Sequence, residues 1–279
     1  MVEKRDGAIT DLTGVSRGSK ELVVWGEGID VDILKTLPKL ESLGVYKAKK
    51  KDLAKIARIG ELTLPSLNLR FWPEPDLTAF RPPKGLRYFT VWQSNALVRL
   101  DGIEAAAEVE ALALNDNGRL ESLAPLAALP KLAELTLSGG IWSKQETERL
   151  DALAQLKALR RLQLRGLDGR GLDLAPVARL QHLEALDLWA RDFPMEEVAK
   201  VAAGHPAYLK QLLDLPDYPR RDEFGRCAKC DATRKQMFLK RRKFLWCPNC
   251  DKAGLDRLLA TFMMAVEAAR RDLDLPSQS

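Results

Sequence analysis

Cysteine is absent from this 279-residue chain until Cys227, and all four cysteines lie between Cys227 and Cys250. Long apolar runs are also absent, since none approaches the roughly 20 residues that span a bilayer. The N-terminal MVEKRDGAITDLTGVSRGSK lacks the apolar core and small-residue cleavage site of a signal peptide. These absences predict a protein of the reducing cytoplasm with no membrane partner.

Residues typical of catalysis are scarce as well. The chain has two histidines, His182 and His205, in a return segment and a Gly-His-Pro turn, where structural roles are expected. No G-x-x-x-x-G-K-[ST] phosphate-binding loop occurs, and the glycines near 166–171 have the wrong spacing for a dinucleotide site. The sequence therefore predicts no enzymatic activity, no catalytic residues and no small-molecule substrate.

The positive charge is concentrated near the C-terminus. The chain carries a formal net charge of +5, with 30% charged and 46% hydrophobic residues, which is typical of a soluble globular protein. Between residues 220 and 250 there are ten basic and three acidic residues, a local excess of +7. The remainder is slightly acidic, so the chain as a whole does not have the charge distribution of a nucleic-acid-binding protein.

Leucine-rich triplets of the form L-x-x-L-x-L organise the first 218 residues. Their middle residues, 43, 62, 89, 112, 135, 162 and 186, are spaced 19, 27, 23, 23, 27 and 24 apart. The triplets are Leu40/Leu43/Val45, Ile59/Leu62/Leu64, Leu86/Phe89/Val91, Val109/Leu112/Leu114, Leu132/Leu135/Leu137, Leu159/Leu162/Leu164 and Leu183/Leu186/Leu188. Leu22 and Val24 resemble a capping strand before them. Seven copies of one pattern predict a repeat protein.

Each L-x-L places two side chains on one face of a short strand. The segments between them, such as LAPLAALPKL (123–132), have apolar residues at helical spacing. The longest, 143–159, begins with Ser143 and Glu146 in capping-box register and predicts a helix. The fold prediction is an α/β solenoid in which stacked repeats share one core.

The segments ESLAPLAALPKLAELTL (121–137) and LDLAPVARLQHLEALDL (172–188) resemble leucine-rich repeats of the bacterial internalin-like kind. The resemblance covers residues 20 to about 215 and implies an irregular leucine-rich-repeat horseshoe. The family pattern L-x-x-L-x-L-x-x-N has its asparagine only at Asn117. The internal asparagine ladder of such repeats is therefore expected to be mostly missing.

The two C-x-x-C pairs, Cys227/Cys230 and Cys247/Cys250, are separated by 16 residues, which is typical of a tetrathiolate zinc site. Each two-residue gap allows a tight turn that points both sulfurs at one ion. The segment is similar to a zinc ribbon, and we expect one structural Zn²⁺ per chain because four thiolates leave no open position. Disulfides and an iron or iron–sulfur centre remain alternatives.

Four parts are predicted along the chain. Residues 1–19 form a flexible N-terminal segment, 20–218 the leucine-rich-repeat solenoid, 222–251 the zinc ribbon, and 252–279 a C-terminal amphipathic helix and tail. The helix has apolar residues on one face, which indicates packing on the ribbon or on the open end of the solenoid. A partner-binding helix is the alternative.

Basic and aromatic residues alternate in the predicted ribbon, a pattern that can contact phosphates and stack on bases. The alternative is a solvated hairpin whose charges offset the thiolates. The candidate nucleic-acid contacts are Arg234, Lys235, Lys240, Arg241, Arg242 and Lys243.

Aromatic residues make up 6% of the chain, yet several fall at positions predicted to lie on the concave face of the repeats. Exposed Trp, Tyr and Arg side chains frequently dominate protein interfaces. The candidate partner-binding residues are Tyr46, Tyr88, Trp92, Arg161, Arg165 and Trp189. The sequence thus predicts a recognition scaffold that binds a protein through this face, with a nucleic-acid-associated factor as the alternative.

Overall fold

The structure of the chain is a computed structural model. It describes residues 7–140, 143–217, 219, 224–237, 239 and 245–275. The chain divides into two compact units, Met1–Asp168 with Leu183–Asp187, and Gly169–His182 with Leu188–Ser279.

A single parallel sheet, with strands in chain order, organises the repeats. The strands are β1 (Glu21–Trp25), β2 (Ser42–Tyr46), β3 (Ser66–Arg70), β4 (Tyr88–Trp92), β5 (Ala111–Asn115), β6 (Glu134–Ser138), β7 (Arg161–Arg165) and β8 (Ala185–Leu188). From β1 to β7 each strand pairs with the next in an unshifted register, so that Leu43, Leu67 and Phe89 are direct neighbours. This register stacks the L-x-L side chains of successive repeats into one continuous core, where these three residues are at most 2% exposed.

The third repeat lies five residues later than the sequence pattern predicted. Its strand contains Leu67 and Leu69, whereas Leu62 and Leu64 are buried in the return that precedes it. Proline lacks the N–H that an interior strand residue donates, so Pro65 lies just before the strand. With this correction the repeat spacings become 24, 22, 23, 23, 27 and 24.

The returns between strands are mostly single turns rather than the predicted helices. In the first unit the α-helices are α1 (Val31–Leu34) and α2 (Leu53–Ala57), and the 3₁₀ turns are Gly26–Gly28, Lys50–Asp52, Arg58–Glu61, Ile103–Ala106, Ala124–Ala128 and Asp151–Gln155. The predicted helix over 143–159 is wrong, because only its 3₁₀ turn is helical. Its first part instead runs extended, with bridges from Gln145 to Leu167 and from Thr147 to Leu120.

A buried polar ladder connects four successive repeats in the first unit, through side chains of three of them. The Asn117 Oδ1 accepts from the Ser94 backbone N–H at 3.1 Å, and the Gln145 Oε1 accepts from the Asn117 N–H at 3.0 Å. The Ser94 hydroxyl in turn accepts from the Trp72 N–H at 2.9 Å. The ladder expected to be mostly missing is therefore present here, because serine and glutamine occupy two of its steps.

Replacing Asn117 by alanine should lower the free energy of unfolding by about 2–4 kcal/mol, since each buried polar group left without a partner costs about 1–3 kcal/mol. The substitution removes the acceptor of the Ser94 N–H and the donor to the Val91 carbonyl. Chemical denaturation measures the change. Asn115→Ala is a matched control on the other side of the sheet and should cost about 1 kcal/mol or less. Equal losses for both variants would contradict a stabilising ladder.

Part of the segment predicted to be flexible over 1–19 packs on the sheet. Ala8, Ile9 and Leu12 are buried. Ile9 forms a parallel bridge with Val24, and its N–H donates to the Val23 carbonyl at 2.9 Å. Residues 8–12 therefore cover the free edge of β1, which protects an otherwise unpaired strand.

The second unit contains the helices α3 (Ala175–Ala178), α4 (Met195–Gly204), α5 (Pro206–Leu213) and α6 (Lys252–Asp272), with a short antiparallel pair of β9 (Lys235–Gln236) and β10 (Leu245–Trp246). α6 packs against α4 and buries Leu255, Leu258, Phe262 and Val266. His205 is buried at the end of α4, and its Nε2 lies 2.8 Å from the Val177 carbonyl oxygen. Burial lowers the pKa of His205, which agrees with the expected structural role. No helix among the described residues has the length and apolar character to cross a membrane.

Candidate functional site

Two equivalent turns bring the four cysteines together in the second unit. In each turn the aspartate after the second cysteine donates its backbone N–H to the carbonyl of the first, from Asp231 to Cys227 at 2.8 Å and from Asp251 to Cys247 at 3.1 Å. The strand pair β9–β10 sets the two turns side by side. This arrangement agrees with the two tight turns that the C-x-x-C spacing predicts.

The four sulfur atoms all lie within 4.8 Å of one another. The Sγ atoms of Cys227 and Cys250 are 3.9 Å apart, and those of Cys230 and Cys247 are 3.4 Å apart. A tetrahedral ion with metal–sulfur bonds of about 2.3 Å requires sulfur separations of about 3.8 Å. The donor set therefore fits one tetrahedrally coordinated metal ion.

The cysteines are all free thiols, which does not support the disulfide alternative. Hydrogen bonding with Cys230, with burial and the other two thiols, raises the pKa of Cys250 to about 12. A bound cation has the opposite effect, because a coordinating thiol loses its proton. The Cys250 backbone N–H also donates to the Cys247 Sγ at 3.3 Å, a contact that stabilises a thiolate. Four thiolates occupy every position of a tetrahedron, so this site could hold a metal for folding but not activate a substrate.

On the sheet of the first unit, Tyr88 and Trp92 lie on β4 and point away from the core together with Thr90. Tyr88 is 49% exposed and Trp92 is 37% exposed, so both are available for contact. Tyr46 lies two strands away and is half-buried. The sequence pattern correctly placed these three aromatic residues on the open face of the sheet.

Arg161 and Arg165 on β7 lie on the same face, but each already has an acidic partner. Arg161 forms an ion pair with Glu134 on β6, and Arg165 forms one with Asp187 on β8. Their guanidinium groups are thus neutralised within the sheet. Trp189, in the second unit, is 38% exposed and stacks with Arg191, whose Cζ lies 4.4 Å from the ring centroid.

Arg70 is a residue of this face that the sequence reasoning missed. Its Cζ lies 4.1 Å from the centroid of the Trp92 ring and 4.9 Å from that of the Tyr46 ring. The Phe71 ring is 5.3 Å away, and the Gln93 Oε1 accepts hydrogen bonds from Nε at 2.9 Å and Nη2 at 2.6 Å. The misplaced third repeat hid it, because Pro65 was assigned to the position that Arg70 occupies.

The residues that follow the strands hold this cluster in place. Lys47, Phe71, Gln93 and Asp116 each have a φ between 51° and 58°, a left-handed conformation that costs non-glycine residues free energy. The backbone N–H of each donates to the carbonyl oxygen of the last residue of the next strand, at N···O distances of 2.7–3.0 Å. The regular hydrogen bonds fix the turns and with them the Arg70, Phe71 and Gln93 side chains.

The structure describes two of the six candidate nucleic-acid contacts, Arg234 and Lys235. Arg234 donates to the Phe224 carbonyl at 3.3 Å, and Lys235 pairs with Asp217 at 2.8 Å. Lys240, Arg241, Arg242 and Lys243 lie outside the described residues. The two described cations are engaged within the second unit and do not form an open basic patch by themselves.

Comparison with protein-family models and with curated proteins gives no match. Among solved structures, the chain is similar to an internalin from Listeria monocytogenes, with 21% identity and a TM-score of 0.41 over 62% of this chain and 48% of that one. It is also similar to TLR13 in a complex with ssRNA13, with 20% identity and a TM-score of 0.46 over 62% of this chain and 26% of that one. The chain thus matches about half of the first protein and a quarter of the second.

The fold is identified from the geometry of the chain itself. Each L-x-x-L-x-L repeat contributes one short strand to a parallel sheet, and the stacked leucines form the core beneath it. The chain has the leucine-rich-repeat fold, followed by a four-cysteine module and a C-terminal helix.

Proposed function

We propose that this chain is a non-catalytic recognition protein that binds a protein partner through the open face of its sheet. The observation that carries the proposal is the pair of exposed aromatic side chains, Tyr88 and Trp92, on one strand. Aromatic anchors of this kind contribute most of the binding energy in many protein interfaces. Tyr46, Arg161 and Arg165 complete the proposed contact set on the sheet, and Trp189 is proposed as a separate contact in the second unit.

The metal has a separate, structural role in this proposal. One Zn²⁺, held by Cys227, Cys230, Cys247 and Cys250, stabilises a ribbon over residues 222–251. The sulfur separations and the C-x-x-C spacing support zinc, which commonly occupies such tetrathiolate sites. A reducing cytoplasm, which we propose as the location, keeps these thiols available to the metal.

Site-specific photo-cross-linking tests the binding face. A benzophenone amino acid at Tyr88 should cross-link a discrete protein in cells that naturally produce this chain. The same amino acid at Met264, which is 74% exposed on α6, is the matched control and should not capture that protein. Identical cross-linked products from both positions, or none from Tyr88, would contradict binding through the sheet.

The second candidate function is association with nucleic acid through the ribbon. The local excess of +7 between residues 220 and 250 favours it, because cations bind phosphates with a strong dependence on salt. Nuclease treatment before cross-linking separates the two functions. A protein product that survives nuclease supports the first proposal, whereas its loss indicates that nucleic acid bridges the partners.

A further inference from the structure

The open face of the sheet from β2 to β8 has two halves with different charge. On β2–β5 the outward positions are neutral except for one cation, Arg70. They are Ser42, Gly44, Tyr46, Ser66, Asn68, Arg70, Tyr88, Thr90, Trp92, Ala111, Ala113 and Asn115. On β6–β8 both signs are present, and Arg161 and Arg165 form ion pairs with Glu134 and Asp187. Between β2 and β8, the outward cation that forms no ion pair is therefore Arg70, in the first half.

Arg70 differs from several other arginines of the same unit in having no carboxylate partner among the described residues. Arg58, Arg87 and Arg99 each form a hydrogen-bonded ion pair with a carboxylate. Arg70 forms no ion pair within the described part of the chain, and its hydrogen bonds go to a neutral amide, that of Gln93. Its positive charge therefore remains available to an anion from outside the molecule.

The surroundings of Arg70 favour a strong interaction with such an anion. The Trp92 and Tyr46 rings lie against the guanidinium, and the Arg70 side chain is half-buried. A hydrogen bond between charged groups is stronger where the local dielectric is low. Hydrogen bonds from Nε and Nη2 to Gln93 fix the Arg70 guanidinium before a partner binds. Little side-chain conformational entropy is therefore lost on binding.

We propose that Tyr46, Arg70, Tyr88 and Trp92 recognise an acidic peptide segment of the partner, with one carboxylate bound by Arg70. The inference rests on the proposed function and specifies its partner chemistry. The apolar flank of the segment packs on Tyr88 and on the small side chains of Ala111 and Ala113. A nucleic acid is a poorer match for this half, because its repeated phosphates require several cations, whereas β2–β5 offer a single one.

Peptide display on the full-length, zinc-loaded chain tests the inference. Random 12-residue peptides selected on the wild-type protein should share one Asp or Glu next to an apolar residue. The strongest peptide is then synthesised with Glu and with Gln at that position, and both affinities are measured by calorimetry. We expect the Glu-to-Gln change in the peptide and Arg70→Gln in the protein each to weaken binding at least tenfold.

The double change should weaken binding little more than either single change, because both remove the same contact. Arg58→Gln is the matched control and should change the affinity less than twofold, since Arg58 lies in a return off the sheet and already pairs with Asp32. Arg70→Lys keeps the charge but loses the planar stacking and should give an intermediate affinity. If Arg70→Gln also lowers the melting temperature, Arg70→Lys and the peptide variant still test the contact.

Selected peptides without a shared acidic residue, or an affinity unchanged by Arg70→Gln, would overturn the inference. If such peptides still compete with the Tyr88 cross-link, the proposed function stands and only the carboxylate contact is wrong. If neither peptides nor a Tyr88 cross-link are obtained, both proposals fail. Single-stranded oligonucleotides that bind the wild type and lose affinity in Arg70→Gln would replace the acidic peptide with a nucleic acid.

Discussion

Replacing Cys247 by serine is expected to reduce bound zinc from one ion per chain to almost none and to unfold the segment around it. Serine lacks the thiolate that binds zinc at neutral pH, and three ligands hold the ion far less tightly than four. The described residues between 224 and 251 have little apolar core of their own, so we expect metal binding, worth about 10–16 kcal/mol in small zinc modules, to supply the folding free energy of this segment. Elemental analysis and hydrogen exchange measure the two effects.

The repeats of the first unit should keep their exchange protection in this variant, because they have their own buried leucine core. Asn249→Ser is a matched control within the same turn. Its amide Nδ2 lies 3.9 Å from the Cys230 Sγ without being a metal ligand, so this variant should retain zinc. Wild-type protein purified under reducing conditions with no zinc, or with iron instead, would show that the assignment of the metal is wrong.

Replacing Trp92 by alanine should weaken binding of the partner at least tenfold while changing the melting temperature only slightly. Truncation of a central aromatic anchor commonly costs about 2 kcal/mol or more in binding. The expected loss of stability is smaller, about 1 kcal/mol, because Trp92 is 37% exposed and loses mainly its stacking with Arg70. For a chain of this size that corresponds to a shift of about 2–4 °C.

Calorimetry with the cross-linked partner or a selected peptide gives the affinity, and thermal denaturation gives the stability. Met264→Ala removes another exposed large side chain and should change neither. A melting temperature lowered by ten degrees or more would mean that Trp92 is a core residue. In that case its role as a binding anchor would be wrong.

Much of the fold follows directly from the sequence, because L-x-L pairs specify both a strand and its buried face. The clustering of the four cysteines also follows, since this spacing of two C-x-x-C pairs is typical of a shared metal site. The third repeat was placed wrongly because Leu62/Leu64 and Leu67/Leu69 both match the pattern. Pro65 distinguishes them, as its missing N–H cannot join the interior of the sheet.

Two functional features could not be read from local patterns. Arg70 was hidden by the misplaced repeat, and its significance depends on neighbours from the adjacent strands and turns. Gln145 was assigned to a helix because 143–159 has helical spacing and a capping-box pair. Gln145 forms hydrogen bonds with Asn117 and Gly118, which precede it by 28 and 27 residues. Local sequence patterns cannot predict contacts over such separations.

The polar ladder has a consequence for engineering this chain. Serine, asparagine and glutamine are side chains of increasing length, and the longest, Gln145, occurs in the repeat that is extended to 27 residues. Gly139 and Gly140 allow that longer path, because a Cβ at either position would lie within 2.3 Å of a neighbouring atom. In these three repeats the ladder side chain is thus matched in length to the repeat that carries it. A segment cut from this protein could not be duplicated or exchanged as an interchangeable module without rebuilding the junction on both sides.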